Sequence, residues 1–197
     1  MERSASPRQQ RNRSRIAQAA ARLIAEHGLS DWNLAKRKAC RELGLTDREA
    51  LPDNEEVQQA LRDYNNLFHA EQQPAQLRQQ RAEALRWMKR LSEWNPVLTG
   101  AVAGGWATEH SEIRLELEAE DAKAVELALI NASIAYASAP PAGGRPGQIQ
   151  LRIDGRQASL RLVIVSALER RNRPRQGAGE ERLNIAQLRS LLGPEAT

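Results

Sequence analysis

The chain has 197 residues, enough to bury a real core as one domain or two small ones. Hydrophobic residues make up 41% and charged residues 27%, which excludes a chain disordered throughout, and no apolar run approaches the ~20 residues that a membrane-spanning helix needs. The formal charge of +4 is already supplied by Arg3, Arg8, Arg11, Arg13 and Arg15 against Glu2, so the chain from Ile16 onward is neutral overall; that argues against general nucleic-acid binding by counterion release.

Residues 1–15 read as a basic, solvated tail, and their composition lacks the apolar core of a signal peptide. From Ile16 the apolar positions Ile16, Ala19, Ala20, Leu23 and Ile24 recur at helical spacing, and Gly28 stands where a left-handed C-terminal cap is needed. Ser30 or Asp31 caps a second helix through Leu34, Ala35, Ala39 and Leu43 to Gly44. Pro52-Asp53 opens a third, where Glu56 completes a capping box ahead of the stripe Val57, Ala60, Leu61, Tyr64, Leu67 and Phe68. Pro74 begins a fourth, with Leu77, Ala84, Leu85, Met88 and Leu91 on its apolar side, so residues 16–93 read as a helical domain or layer.

After Asn95-Pro96 the period changes. Val97 to Ala103 reads as a short strand and turn, and Ser111 to Leu117 alternates Ile113, Leu115 and Leu117 with Glu112, Arg114 and Glu116, as a half-buried strand does. Residues 120–132 return to helical spacing and 134–137 offer another short strand. Pro140 to Gly147 reads as a loop. Ile149, Leu151 and Ile153, then Asp154-Gly155, then Leu160, Leu162 and Ile164 give the strongest hairpin signal in the chain. Residues 96–168 therefore read as one sheet-containing unit, 169–181 as a charged linker and 183–192 as a short terminal helix.

The segment Gly100-Ala-Val-Ala-Gly-Gly-Trp-Ala-Thr-Glu-His-Ser-Glu-Ile-Arg-Leu carries the functional signal. It resembles the active-site segment of the nucleotidyltransferase superfamily, in which a Gly-Ser or Gly-Gly turn precedes Ser-Asp-Ile-Asp-Leu by some ten residues. The resemblance implies a small mixed-sheet fold and a cleft holding magnesium and a nucleoside triphosphate. Residues two apart on a strand point the same way, so an acid-x-acid pair presents two oxygen ligands on one edge of such a cleft. Here Glu112 matches the first acid and Arg114 replaces the second, while Ala158 to Val165, the strand that matches the family's third-carboxylate position, holds no acid. A guanidinium about 4 Å from a divalent ion would oppose its binding by about 4 kcal/mol per unit charge at an effective dielectric near 20. The expected molecule is an α/β (α+β) protein whose nucleotidyltransferase-like unit has lost its metal ligands. Gly100, Ala101, Gly104, Gly105, Ser111, Glu112 and Arg114 are then the candidate ligand-binding residues, for a nucleotide, another anion or a protein partner, with no catalytic residue and no cofactor.

Two alternatives stand beside it. A nucleic-acid-binding protein would use Lys36, Arg37, Lys38 and Arg41 on the second helix. Ala20 to Gly28 resembles the opening helix of tetracycline-repressor-type regulators, although the continuous basic helix that follows departs from their helix-turn-helix. An active transferase would need magnesium held by acids from elsewhere, such as Asp121 or Asp154, with His110 as a candidate base. Trp32, Trp87, Trp94 and Trp106 read as core or interdomain anchors, and Trp106 is placed either to stack on a base or to plug the cleft. Cys40 reads as a buried thiol; a single cysteine and three dispersed histidines exclude an internal disulfide and a zinc spacing, and point to a reducing cytoplasm.

Overall fold

A computed structural model describes residues 6–29, 31–45, 51–140, 148–172 and 181–193. The chain divides into two compact units, residues 1–71 and 72–197. The fourth helix, expected within a helical domain over 16–93, thus belongs with the sheet. The expected loop at Pro140 to Gly147 and most of the expected linker fall outside the described residues.

The first unit contains α1 (Pro7–His27), α2 (Trp32–Glu42) and α3 (Asn54–Phe68). Residues 7–15, expected as tail, form the start of α1. Ser6 and Gln9 make a capping box there, Pro7 sits at the first helical position, and the Arg13 guanidinium donates to both Glu56 oxygens at 3.1 and 2.5 Å. Composition marks these residues as polar, yet the cap and one ion pair with α3 give them a helical partner. The apolar stripe packs as its spacing predicts: Ile16, Ala20, Leu23 and Ile24 of α1 are buried with Ala35, Ala39 and Cys40 of α2 and Val57 and Leu61 of α3. Asp31 caps α2 through the amides of Asn33 and Leu34, and Asp53 and Glu56 form the expected box at α3.

The second unit contains α4 (Gln73–Arg90), β1 (Val97–Thr99), α5 (Gly100–Gly104), β2 (Ile113–Glu118), α6 (Ala122–Asn131), β3 (Ala137–Ser138), β4 (Gln150–Ile153), β5 (Leu160–Val165), α7 (Ala167–Arg171) and α8 (Ile185–Leu192). The sheet runs β1-β2-β5-β4-β3, with β2 and β5 parallel and the other neighbours antiparallel. The chain is thus of α+β class. The hairpin signal is realised as β4 and β5, with Ile153 opposite Leu160. Ile113, Leu115 and Leu117 share the buried sheet face with Leu98, Leu151, Ile153, Leu160 and Leu162, and they pack with Leu85 and Met88 of α4, Val125 and Leu129 of α6, and Leu188 and Leu192 of α8. Complete burial of each Leu or Ile contributes roughly 1.5–3 kcal/mol, so this face fixes the register of β2 and sends Arg114, Glu116 and Glu118 to the other side. Leu183 exchanges both backbone hydrogen bonds with Leu98 at 2.9 Å, which partly closes the outer edge of β1.

Candidate functional site

The chain leaves β1 at Gly100 with φ +73°, a conformation that favours glycine, and turns into the short α5 where a continued strand and turn was expected through Ala103. A Cβ on Gly100 would lie 3.8 Å from both Cβ and Cδ of Arg114, so the turn and the Arg114 side chain meet. Ala101 is half-buried in α5. Gly104 and Gly105 serve different neighbours: a Cβ on Gly104 would fall 2.5 Å from Nε1 of Trp106, a residue 8% exposed, whereas one on Gly105 would lie 3.5 Å from the Arg81 guanidinium. α4 holds the turn from its other flank. Arg81 donates to the carbonyls of Val102 and Ala103 at 3.0 and 2.9 Å, Gln73 to that of Gly105 at 3.1 Å and Gln80 to that of Thr108 at 3.2 Å. Burial pushes the Arg81 guanidinium below its ordinary pKa, and Glu181 partly opposes that.

Ser111 closes the loop before β2, its hydroxyl accepting the Thr108 amide at 2.9 Å. Glu112 is engaged by β5: its Oε2 accepts from Nε of Arg161 at 2.6 Å, and its Oε1 from the Ser159 hydroxyl at 3.5 Å. The parallel register sets Arg114 beside Arg161, and the β4–β5 pairing sets Arg152 on the far side of Arg161. Thr99, Arg114, Arg161 and Arg152 therefore form one row across four strands. Like charges directly opposite one another are destabilising, so the row needs counter-groups. Arg161 finds them in Glu112, the Gln150 side-chain oxygen and the Pro140 carbonyl, and Arg152 in Asp154 at 3.5 Å.

The other outward acids of β2 are held in the same way. Glu116, 2% exposed, pairs with Arg182, and Glu118 accepts from Arg170 at 2.8 Å while Arg170 also donates to the Asn95 carbonyl at 2.6 Å. Each acid on this side of β2 thus faces an arginine from a different part of the unit. That donor set does not fit a magnesium ion, because Glu112 would have to release Arg161 and the neighbouring strand positions are cationic. Among the described residues no group of three or more His, Cys, Asp or Glu side chains is arranged to hold a metal ion. Asp121 caps α6 through the Lys123 amide, Asp154 is 91% exposed beside Arg152, and His110 lies beside Glu109 at the surface. None of the three is drawn into an acid cluster with Glu112.

The candidate nucleic-acid residues on α2 do not form one solvated surface. Lys36 is 5% exposed and donates to the Asn54 side chain at 2.7 Å, with burial lowering its pKa against the pull of Asp53 and Glu56. Arg37 and Arg41 are exposed and Lys38 is half-buried. Four basic positions within six residues spread around a helix that turns 100° per residue. Cys40 is buried with its thiol 3.6 Å from the Leu45 carbonyl.

Arg161 and Arg182 are the residues of this face that sequence reasoning did not single out, and Arg170, expected in a basic linker run, pairs with Glu118 instead. Arg161 carried one usable signal, its outward parity in an alternating strand, but its place beside Arg114 depends on a parallel pairing that no local pattern encodes. Among the described residues no helix is long and apolar enough to cross a membrane. Compared with protein-family models, curated proteins and solved structures, the chain matches none.

Proposed function

We propose that this chain is a noncatalytic binding module of nucleotidyltransferase-like layout, whose sheet end at Gly100 and Arg114 binds an anionic ligand without a metal ion. The observation that carries the reading is Arg114 beside Gly100, in one row with Arg161 and Arg152 across the sheet, at the position where the resemblance would put the second carboxylate. Planar guanidiniums offer forked donors to phosphate or carboxylate oxygens, and Gly100 leaves the backbone beside Arg114 without a side chain. Glu112 acts here by positioning Arg161, so the acid retained from the motif has a structural partner in place of a metal.

Calorimetric titration with a nucleoside triphosphate, with and without magnesium, tests this. The expected result is binding that magnesium does not strengthen and that Arg114→Ala weakens about tenfold, equivalent to about 1.4 kcal/mol. Tight binding that requires magnesium, together with incorporation of labelled nucleotide, would overturn it.

A further inference from the structure

A second basic concavity lies apart from Gly100, Glu112 and Arg114. Glu83, Arg86, Trp87 and Arg90 occupy one face of α4 at i, i+3, i+4 and i+7, and together with Asp154, Gly155 and Arg156 of the β4–β5 turn they line a half-open groove of about 400 Å³. That volume suits a small-molecule ligand.

The groove floor is fixed by α4. Glu83 is 2% exposed, and its two oxygens accept the backbone amides of Arg156 and Gln157 at 2.7 Å each. Gly155 has no room for a side chain, since a Cβ would meet the Ala158 carbonyl oxygen at 2.2 Å and Glu83 Oε1 at 2.7 Å. The turn therefore lies flat against the helix and carries Arg156 at a set place. Glu83 is consumed by these amides, and Asp154 faces Arg152. The cations are differently placed. Among the described residues, the guanidiniums of Arg86 and Arg156 have no hydrogen bond or ion pair, and both residues are exposed. Arg90 sits 5.5 Å over the Trp87 ring and also donates to the Ala132 carbonyl at 3.4 Å, which steadies it beside the groove.

We infer that this groove binds a phosphate monoester attached to a planar ring, as in a nucleoside 5′-phosphate, either free or at the end of a nucleic-acid strand. Three guanidiniums face two carboxylates that already have partners, a balance that suits a dianion better than a single carboxylate. Arg86 and Arg156 grip the phosphate oxygens as forks, and the ligand's ring lies against the Arg90 guanidinium, which the half-buried Trp87 backs. The inference uses none of the residues of the sheet-end site and stands without it.

The test is calorimetric titration of the full chain with AMP, ribose 5-phosphate, inorganic phosphate, and a short single-stranded oligonucleotide with and without a 5′-phosphate. Wild type should bind AMP saturably and at least about tenfold more tightly than ribose 5-phosphate or phosphate. Measured in an Arg114→Ala background, which removes the sheet-end site, the doubly substituted Arg86→Ala, Arg156→Ala protein should lose at least about tenfold in AMP affinity with an unchanged melting temperature. Trp87→Phe, which keeps an aromatic surface, should lose less than the double variant. A 5′-phosphorylated oligonucleotide that outcompetes AMP assigns the site to strand ends, and one that does not assigns it to the free nucleotide. No saturable AMP binding, equal binding by the double variant, or inorganic phosphate binding as well as AMP would each overturn the inference; AMP binding lost with Arg114→Ala instead would transfer it to the sheet end.

Discussion

Two sets of arginines in the sheet-containing unit are placed in opposite circumstances. Arg161, Arg170 and Arg182 each bind a carboxylate of the β2 segment, and Glu116 in particular is held against its arginine at 2% exposure. The guanidiniums of Arg86 and Arg156, lining the groove between α4 and the β4–β5 turn, bind no described residue. Arg182 belongs to the fold, because the buried carboxylate of Glu116 requires it; the guanidiniums of Arg86 and Arg156 are free to meet something from outside. Residue type alone does not separate the two. Burial of the partner acid does.

The largest effect should come from breaking the first set at its most buried member. Arg182→Ala removes one ion-pair partner of the buried Glu116 and should cost about 3 kcal/mol of unfolding free energy, read from chemical denaturation, whereas Glu116→Gln should cost less because it removes the charge with the bond. A loss under about 0.5 kcal/mol for Arg182→Ala would erase the distinction between the two regions. Next is the support beneath the groove: Glu83→Ala removes the acceptor of two turn amides and should cost about 2 kcal/mol, with thermal melting as the readout. The groove arginines should then show the contrast from the other end. Arg86→Ala and Arg156→Ala should each shift stability by less than about 0.5 kcal/mol, as surface positions without partners do, and a large destabilisation would place them in the fold after all.

Lys36 provides the smallest and most selective effect, since it is a buried cation in the other unit with a neutral hydrogen-bond partner. Burial lowers its folded-state pKa below the ordinary 10.5, so the folded protein releases that proton first as pH rises. Between the lowered pKa and 10.5 the unfolded chain binds more protons, and this residue therefore makes stability rise with pH through that window. Comparing the pH dependence of denaturation for wild type and Lys36→Met should show that slope reduced in the variant. Identical slopes would mean that Lys36 is solvated.

Much of the local structure was legible because its causes are local. Asp31, and Asp53 with Glu56, announced two helix starts; Gly28 announced an end; and the alternation at Ile113 to Leu117 and at Ile149 to Ile164 announced strands. Residues 7–15 were less legible, because their basic composition conceals a capping box at Ser6 and a partner, Glu56, more than forty residues away. The turn at Gly100 was readable as small and open, yet much of that openness is occupied by Trp106 over Gly104, a contact that glycine spacing alone does not reveal. Arg114 on the outward side of its strand was visible in the chain. Its row with Arg161 and Arg152 was not, since parallel pairing of β2 with β5 brings together residues 47 positions apart. The groove was invisible for the same reason: Arg86 and Arg156 become neighbours of one cavity only through Glu83 and the folded turn.

The central claim is that Glu112 is an arginine's partner and not a metal ligand, and titration with manganese followed by electron paramagnetic resonance addresses it directly. The account predicts that wild type and Glu112→Gln bind manganese equally weakly, with no saturating site that depends on this carboxylate. A stoichiometric manganese site present in wild type and absent from Glu112→Gln would contradict it.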